Sequence, residues 1–238
     1  MGAVTAATRN GSAKKPSPSP SPAAATKSLL KERAYSELKQ CIQDSTFQPG
    51  AFLSERQLAS RLGMSKTPVK AALERLEAEG FISVSPQQGI VVRELSVHEI
   101  VDLFQIRQAL ESFVLRSVAG RLTDDEANQV RENLKQQQRA AAANDIAAAV
   151  RLDADFHAMF CEFLGNQEII RVMAQQRERV HRVIKRVFEQ DADRLTGSCH
   201  EHTAIADAVI DGDADRAAAA ISEHLHYGRQ LLLSPRRR

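Results

Sequence analysis

Four side chains in the second half of this 238-residue chain could jointly hold a divalent cation: Asp153, His157, His202 and His224. Asp153 and His157 are four residues apart, so on a helix they stack on one face, in line with Phe160 and Leu164. His202 shares a helical face with Ile205 and Val209, and His224 shares one with Ile221 and Leu225. Such companions direct all four polar groups inward, where an unpartnered imidazole or carboxylate is costly. By the same spacing His200 and His226 point outward. Three imidazoles and a carboxylate suit zinc, nickel or manganese, and not the all-oxygen shell of calcium. Taken singly, each inward histidine reads more simply as a hydrogen-bonded core residue; the four in register are what point to a metal. Cys161 continues the Asp153–His157 stripe, as a soft ligand or, more simply, as core. Arg107 lies at the edge of the Leu103–Ile106–Leu110 stripe and is the candidate anchor for an organic carboxylate. The alternative for Arg107 is a helix-surface pair with Glu111, four residues on. His181, in the helix of Arg177, Arg179 and Arg182, either lines the same pocket or belongs to a solvated basic face.

A second set of chemistry-bearing residues lies in LSERQLASRLGMSKTPVKAALERLEAEGF, residues 53–81. Lys66, Thr67 and Lys70 put a cation, a hydroxyl and a cation at the start of one helix, which suits phosphates and base edges in a major groove. The elements that must position them are two short helices and a tight turn. Ser54 with Gln57 forms a capping box, Ala59 lets the helices approach, Gly63 supplies the turn, and Val69 plugs one helix onto the other. Ser65 caps the second helix, and Pro68 sits in its first turn, where a missing N–H is harmless. Phe81–Ser85 and Ile90–Arg93 alternate as strands around the turn residues Pro86–Gly89, which predicts a two-stranded wing.

A winged helix-turn-helix of this make resembles the GntR family of bacterial transcription regulators, across roughly residues 30–94. The resemblance is carried by PGAFLSERQLASRLGMSKTPVKAALERLEAEGFI and by the wing glycine. It implies that Arg56, in the first motif helix, contacts DNA together with Lys66, Thr67 and Lys70, and that Gly89 lies near the minor groove. The family usually carries arginine where this chain has Lys66 and Lys70. Lysine is a point charge without the fork that grips guanine, so affinity is expected to survive while the usual operator bases do not carry over.

From Ser96 onward the pattern is helical. Ser96 with Glu99 and Thr123 with Glu126 are capping boxes; Asn144 and Asn166 read as further caps and Gly165 as a stop. Apolar residues recur at helical spacing at Leu103, Ile106, Leu110, Phe113 and Ser117, at Phe156, Phe160 and Phe163, and at Ile169, Val172, Val180, Val183 and Ile184. Ala218–Leu233 closes the set. Six helices with almost no strand signal predict an antiparallel bundle. RQALES (107–112), DADFH (153–157), GN (165–166) and EHTAIADAVIDGDADRAAAAISEHL (201–225) are similar to the FCD ligand-binding domain of the FadR-type branch of the same family. That resemblance implies a metal on Asp153, His157, His202 and His224, with a small carboxylate metabolite beside it.

Composition sets the remaining bounds. The net charge of +2 hides an asymmetry: residues 1–27 hold four basic groups and no acid, residues 28–95 nine basic and eight acidic, residues 96–238 nineteen and twenty-two. DNA affinity is therefore expected from a local patch, paired across a homodimer, since one recognition helix reads only a few base pairs. Three cysteines and no signal peptide point to a reducing bacterial cytoplasm, and no apolar run reaches membrane-spanning length. The expected architecture is mostly α: a disordered Pro/Ser/Ala-rich tail (1–27), a winged helix-turn-helix (28–95), an all-α bundle for effector binding and dimerisation (96–233) and a basic end (234–238). The function expected is a DNA-binding regulator sensing a small organic acid; repression relieved by ligand is what the family resemblance implies as the commoner behaviour, and the residues themselves do not fix the sign. Two alternatives stand beside it. An Asp/His₃ site with an open position suits a metal-dependent hydrolase, though no second acid is in register as a general base. A purely structural metal suits a DNA-binding protein that senses nothing.

Overall fold

The computed structural model describes residues 22–44, 46–85, 89–191 and 193–234. The chain divides between Glu94 and Leu95 into two units. In the first, α1 (Pro22–Gln43) is followed by β1 (Phe52–Leu53), α2 (Glu55–Leu62), α3 (Lys66–Ala78), β2 (Ile82–Ser85) and β3 (Gly89–Val92). The helix begins at Pro22, within the segment expected to be tail. Proline at the first helical position loses no hydrogen bond, and Ala23–Ala25 are strong helix formers, so the segment continues α1. Residues 1–21, the wing-tip residues 86–88 and residues 235–238 lie outside the described residues.

The turn chemistry of the motif appears as the sequence requires. Ser54 and Gln57 form the reciprocal capping box, and Gly63 ends α2 in the left-handed region at φ +61°. Val69 and Leu76 are fully buried against α1 and α2 in a core that also holds Tyr35, Leu38, Leu58 and Phe81. Ser65 stands at the N-cap of α3, but its side chain makes no capping hydrogen bond. The wing pairs antiparallel, Ile82 with Val92 and Ser85 with Gly89. A third strand joins it: β1 pairs with β3, Phe52 with Val91. Two residues are too short for an alternating pattern, which is why the sequence gives no sign of β1.

The second unit contains, among the described residues, α4 (Val97–Val118), α5 (Asp124–Ala142), α6 (Ile146–Leu164), α7 (Gln167–Gln190), α8 (Arg194–Ile210) and α9 (Ala214–Leu233). Ser96 and Thr123 cap α4 and α5 with complete capping boxes. Asn166 caps α7, and Gly165 ends α6 at φ +72°. Asn144 is not a cap. It takes the left-handed turn at φ 51°, and Asp145 beside it accepts from Ala148 N. Asparagine tolerates that conformation better than most residues, which frees the aspartate for the cap.

The core of this unit includes Leu103, Phe104, Val130, Phe156, Val183, Ile205, Val209 and Ile221. One apolar stripe is corrected. On α4, Ile106 and Phe113 are exposed, and the buried face is Ile100, Leu103, Phe104, Arg107, Glu111, Val114, Leu115 and Val118. Two charged residues sit in the middle of that face, so counting apolar residues alone rotates the helix by about one position.

Candidate functional site

The exposed end of α3 carries one candidate surface. Ser65, Lys66, Thr67 and Lys70 are all exposed there, as are Arg56 on α2 and Gly89 at the start of β3. Pro68 and Val69 face the core in the same turn, so burial of one face holds the other outward. Gly89 has φ +82°, and a Cβ there would lie 3.1 Å from Leu53 O. Glycine is thus required where β1 crosses close to the wing.

The second candidate is the centre of the helical unit. Asp153 and His157 on α6, His202 on α8 and His224 on α9 are all buried. One ligand atom from each lies within 4.8 Å of the others. His202 Nε2 is 3.4 Å from His224 Nε2 and 3.7 Å from Asp153 Oδ1; His157 Nε2 is 3.9 Å from Asp153 Oδ2. A tetrahedral ion with bonds of about 2.0–2.1 Å needs edges of about 3.3–3.4 Å, so the more distant of these atoms have to draw together to close the set.

The outward nitrogens explain why the Nε2 atoms converge. Leu152 O can only accept, so Asn133 gives it an amide N–H at 3.2 Å. Asn133 Oδ1 then accepts from Gln137 Nε2 at 2.6 Å. Gln137 Oε1 is left facing His202 Nδ1 at 2.7 Å. The chain places the proton on Nδ1 and the lone pair on Nε2. His224 Nδ1 donates to Glu201 Oε2 at 2.6 Å. His157 Nδ1 lies 2.7 Å from Glu111 Oε2. Acceptors on the far side of ligating imidazoles are the usual device for orienting them.

Electrostatics favour the ligating forms. Burial pushes His202 well below the ordinary imidazole value, and the neighbouring His224 and His157 add to it. Burial also lowers His224, against the pull of Glu201. Both are therefore neutral imidazoles at neutral pH. Burial by itself would raise Glu111, but Arg107 and His157 outweigh it and bring it down to about 2. Glu201 also falls to about 2, because hydrogen bonds from His224 and Arg194 overcome its desolvation. Asp153 Oδ1, Asp153 Oδ2 and His157 Nε2 are buried without a hydrogen-bond partner. Orphaned acceptors aimed at one point, ringed by neutral imidazoles, fit a divalent cation.

Arg107 pairs with Glu111 as its four-residue spacing allows, but in the core and not on the helix surface. Its Nε donates to Glu111 Oε1 at 2.7 Å, yet its Nη2 is buried and unpartnered. It borders a cavity of about 100 Å³ with His157, Cys161, Met173, Arg177 and Val180. His181 is half-buried and does not line that cavity. Cys161 is core: it is 2% exposed, and burial foremost, with Glu111 and Glu162, pushes its thiol up to about 12.

Sequence reasoning missed Glu111 as a histidine partner, and missed Asn133, Gln137, Arg194 and Glu201 entirely. A signal existed for two of them. Asn133 and Gln137 lie in register with Val130, Leu134 and Ala140 on the buried face of α5. Glu111 and Glu201 are acids close to the histidines that the search for a general base passed over. Each is held by an arginine and faces Nδ1, away from the convergent Nε2 atoms, so neither is placed as a general base.

Comparison with known proteins agrees with both halves. Residues 30–92 match the family described as bacterial regulatory proteins, gntR family, and residues 102–227 match the FCD domain. The Nta operon transcriptional regulator of Aminobacter aminovorans is 30% identical over 78% of this chain and 87% of its own length. The HTH-type transcriptional repressor RspR of Escherichia coli is 27% identical over 82% and 86%. In fold the chain resembles a GntR transcriptional regulator from Rhodococcus sp. RHA1 with a TM-score of 0.74, at 23% identity over 87% of this chain and 100% of that one. These relatives are regulators and not enzymes. The chain belongs to the GntR family of DNA-binding transcriptional regulators, with a winged helix-turn-helix followed by an FCD domain.

Proposed function

We propose that this regulator is a homodimeric repressor whose helical domain holds one divalent metal and senses a small organic acid. Asp153, His157, His202 and His224 hold the metal. Zinc suits the donor set best, and nickel and manganese fit the same donors. When bound, the metal supplies a Lewis-acid anchor for one carboxylate oxygen. Arg107 supplies the other anchor. The observation that carries this reading is its buried, unpartnered Nη2 beside a cavity that His157 also lines. A purely structural metal gives no reason for a free guanidinium edge at such a cavity.

Arg56, Ser65, Lys66, Thr67, Lys70 and Gly89 form the DNA-contacting surface, with two such surfaces spaced for two half-sites. An acid seated against Arg107 must bind one arrangement of α4, α6 and α7 better than another to alter operator affinity through the link at Leu95–Ser96. The repressor sign follows the relative named as a repressor. The bacterial cytoplasm, where operator DNA lies, is the compartment that fits.

The test is a thermal-shift and operator-binding screen of mono- and dicarboxylates on zinc-loaded and chelator-stripped protein. One chemical class should raise the midpoint only with zinc present and change operator affinity by about 5- to 150-fold. If no acid does either, the sensor reading is wrong.

A further inference from the structure

The helical domain contains an ion pair between a buried arginine and a half-buried carboxylate that touches neither the Arg107 cavity nor the convergent nitrogens. Arg194, the first residue of α8, is 4% exposed. Its guanidinium lies back along the helix to Glu201, with Nη1 to Oε1 at 2.6 Å and Nη2 to Oε2 at 2.5 Å. Gly197 lies between them, and a Cβ there would be in van der Waals contact with Nη1 at 3.4 Å. The guanidinium also lies 4.8 Å from the centre of the Tyr227 ring on α9. Glu201 Oε2 also accepts a hydrogen bond from His224 Nδ1 at 2.6 Å.

Burying an arginine is unfavourable unless geometry and hydrogen bonds compensate. Here the fork is bidentate, and the second acceptor position of the carboxylate serves an imidazole. The pair does little for packing that apolar side chains could not do. It does what apolar side chains cannot, which is to hold one ring nitrogen protonated and turn the other toward Asp153 and His202.

We propose that Glu201, clamped by Arg194, is a positioning residue for the metal, acting through His224 without touching the ion. The inference rests on the metal reading above. Of the three outward acceptors, Glu201 allows the cleanest test. Glu111 is shared with Arg107, so changing it would disturb the acid site as well. Gln137 belongs to a chain through Asn133 to the backbone of α6. Neither Arg194 nor Glu201 lines the Arg107 cavity.

The experiment uses the full chain, with zinc affinity measured by competition against a chromophoric chelator and ligand geometry by the visible spectrum of the cobalt form. Glu201→Ala should weaken zinc by about 10- to 100-fold and alter the cobalt spectrum. Glu201→Gln keeps an acceptor for His224 Nδ1 and should fall between Glu201→Ala and the parent. Because Glu201→Ala strands a buried guanidinium, the pair Arg194→Ala with Glu201→Ala is measured alongside. It should recover thermal stability of the metal-free protein relative to Glu201→Ala while zinc affinity stays low. That separation is one a purely structural role would not produce. Folded Glu201→Ala that holds zinc within twofold of the parent, with an unchanged cobalt spectrum, overturns the positioning role and leaves the metal reading intact. A parent protein that takes up neither zinc nor cobalt removes both.

Discussion

The exposed end of α3 and the centre of the helical domain both gather charged side chains within a turn or two, and they treat them in opposite ways. Lys66, Lys70 and Arg56 are exposed and make no ion pair among the described residues. In the bundle, Arg107, Glu111, Arg194, Asp153 and the three histidines are buried, and the two arginines are each paired with a glutamate of the fold. A surface meant for a polyanion keeps its cations hydrated and available, because the partner arrives with its own counter-charge. A pocket meant for a small ion has to balance its charges within the fold. Charge at the first place should therefore govern binding and leave stability alone. Charge at the second should govern both.

The largest effect tests the first half of that contrast. Lys66→Ala with Lys70→Ala should lower specific operator affinity by roughly 100-fold or more, at about 1–3 kcal/mol for each lost base contact, and reduce the salt slope by about one per lost phosphate contact. The thermal midpoint should hardly move, since exposed substitutions of this kind stay within about ±0.5 kcal/mol each. Gel shift across a salt series and a melt on the same sample give both numbers. Specific binding that survives would refute the recognition-helix assignment.

The second half predicts the reverse ordering. Arg107→Leu leaves Glu111, 3% exposed, as a buried carboxylate without its guanidinium. Breaking a buried pair costs about 3–5 kcal/mol, and denaturant unfolding should show a loss of that order. Adding Glu111→Leu should recover much of it while abolishing any response to organic acids. If Arg107→Leu is as mild as the lysine pair, the bundle's charges are not the stability element argued here.

The same contrast decides how much could be read from the sequence. The α3 surface is local. Its cap, turn glycine, core valine and exposed cations all fall within residues 54–70, so spacing alone assembles it, and the wing follows. The four convergent side chains of the bundle are legible because each lies in register with apolar neighbours on its own helix. Their outer partners are not, because Gln137 meets His202 across 65 residues and Glu201 meets His224 across 23. No helical periodicity links those pairs. On α4 the ion pair misled the reading outright. Arg107 and Glu111 occupy the core face, so the apolar count settled on the exposed side with Ile106 and Phe113. Charged residues are nearly absent from cores unless paired, and the pairing with His157 on α6 is a tertiary fact.

The smallest effect separates two serines that look alike as caps. Ser54 Oγ accepts from Gln57 N at 3.3 Å, and Gln57 Oε1 accepts from Ser54 N at 3.2 Å. Ser65 precedes α3 in the same extended conformation but makes no such bond. Losing a working N-cap costs about 1 kcal/mol, so Ser54→Ala should destabilise the winged domain by about that amount. Ser65→Ala should stay within about 0.5 kcal/mol of the parent, as an exposed substitution does, while weakening operator binding several-fold. Denaturant unfolding and an operator titration on each variant are enough. The two serines then fall on opposite sides of the contrast, Ser54 serving the helix and Ser65 the DNA. Equal stability losses would place the Ser65 hydroxyl in the fold and remove it from the contact surface.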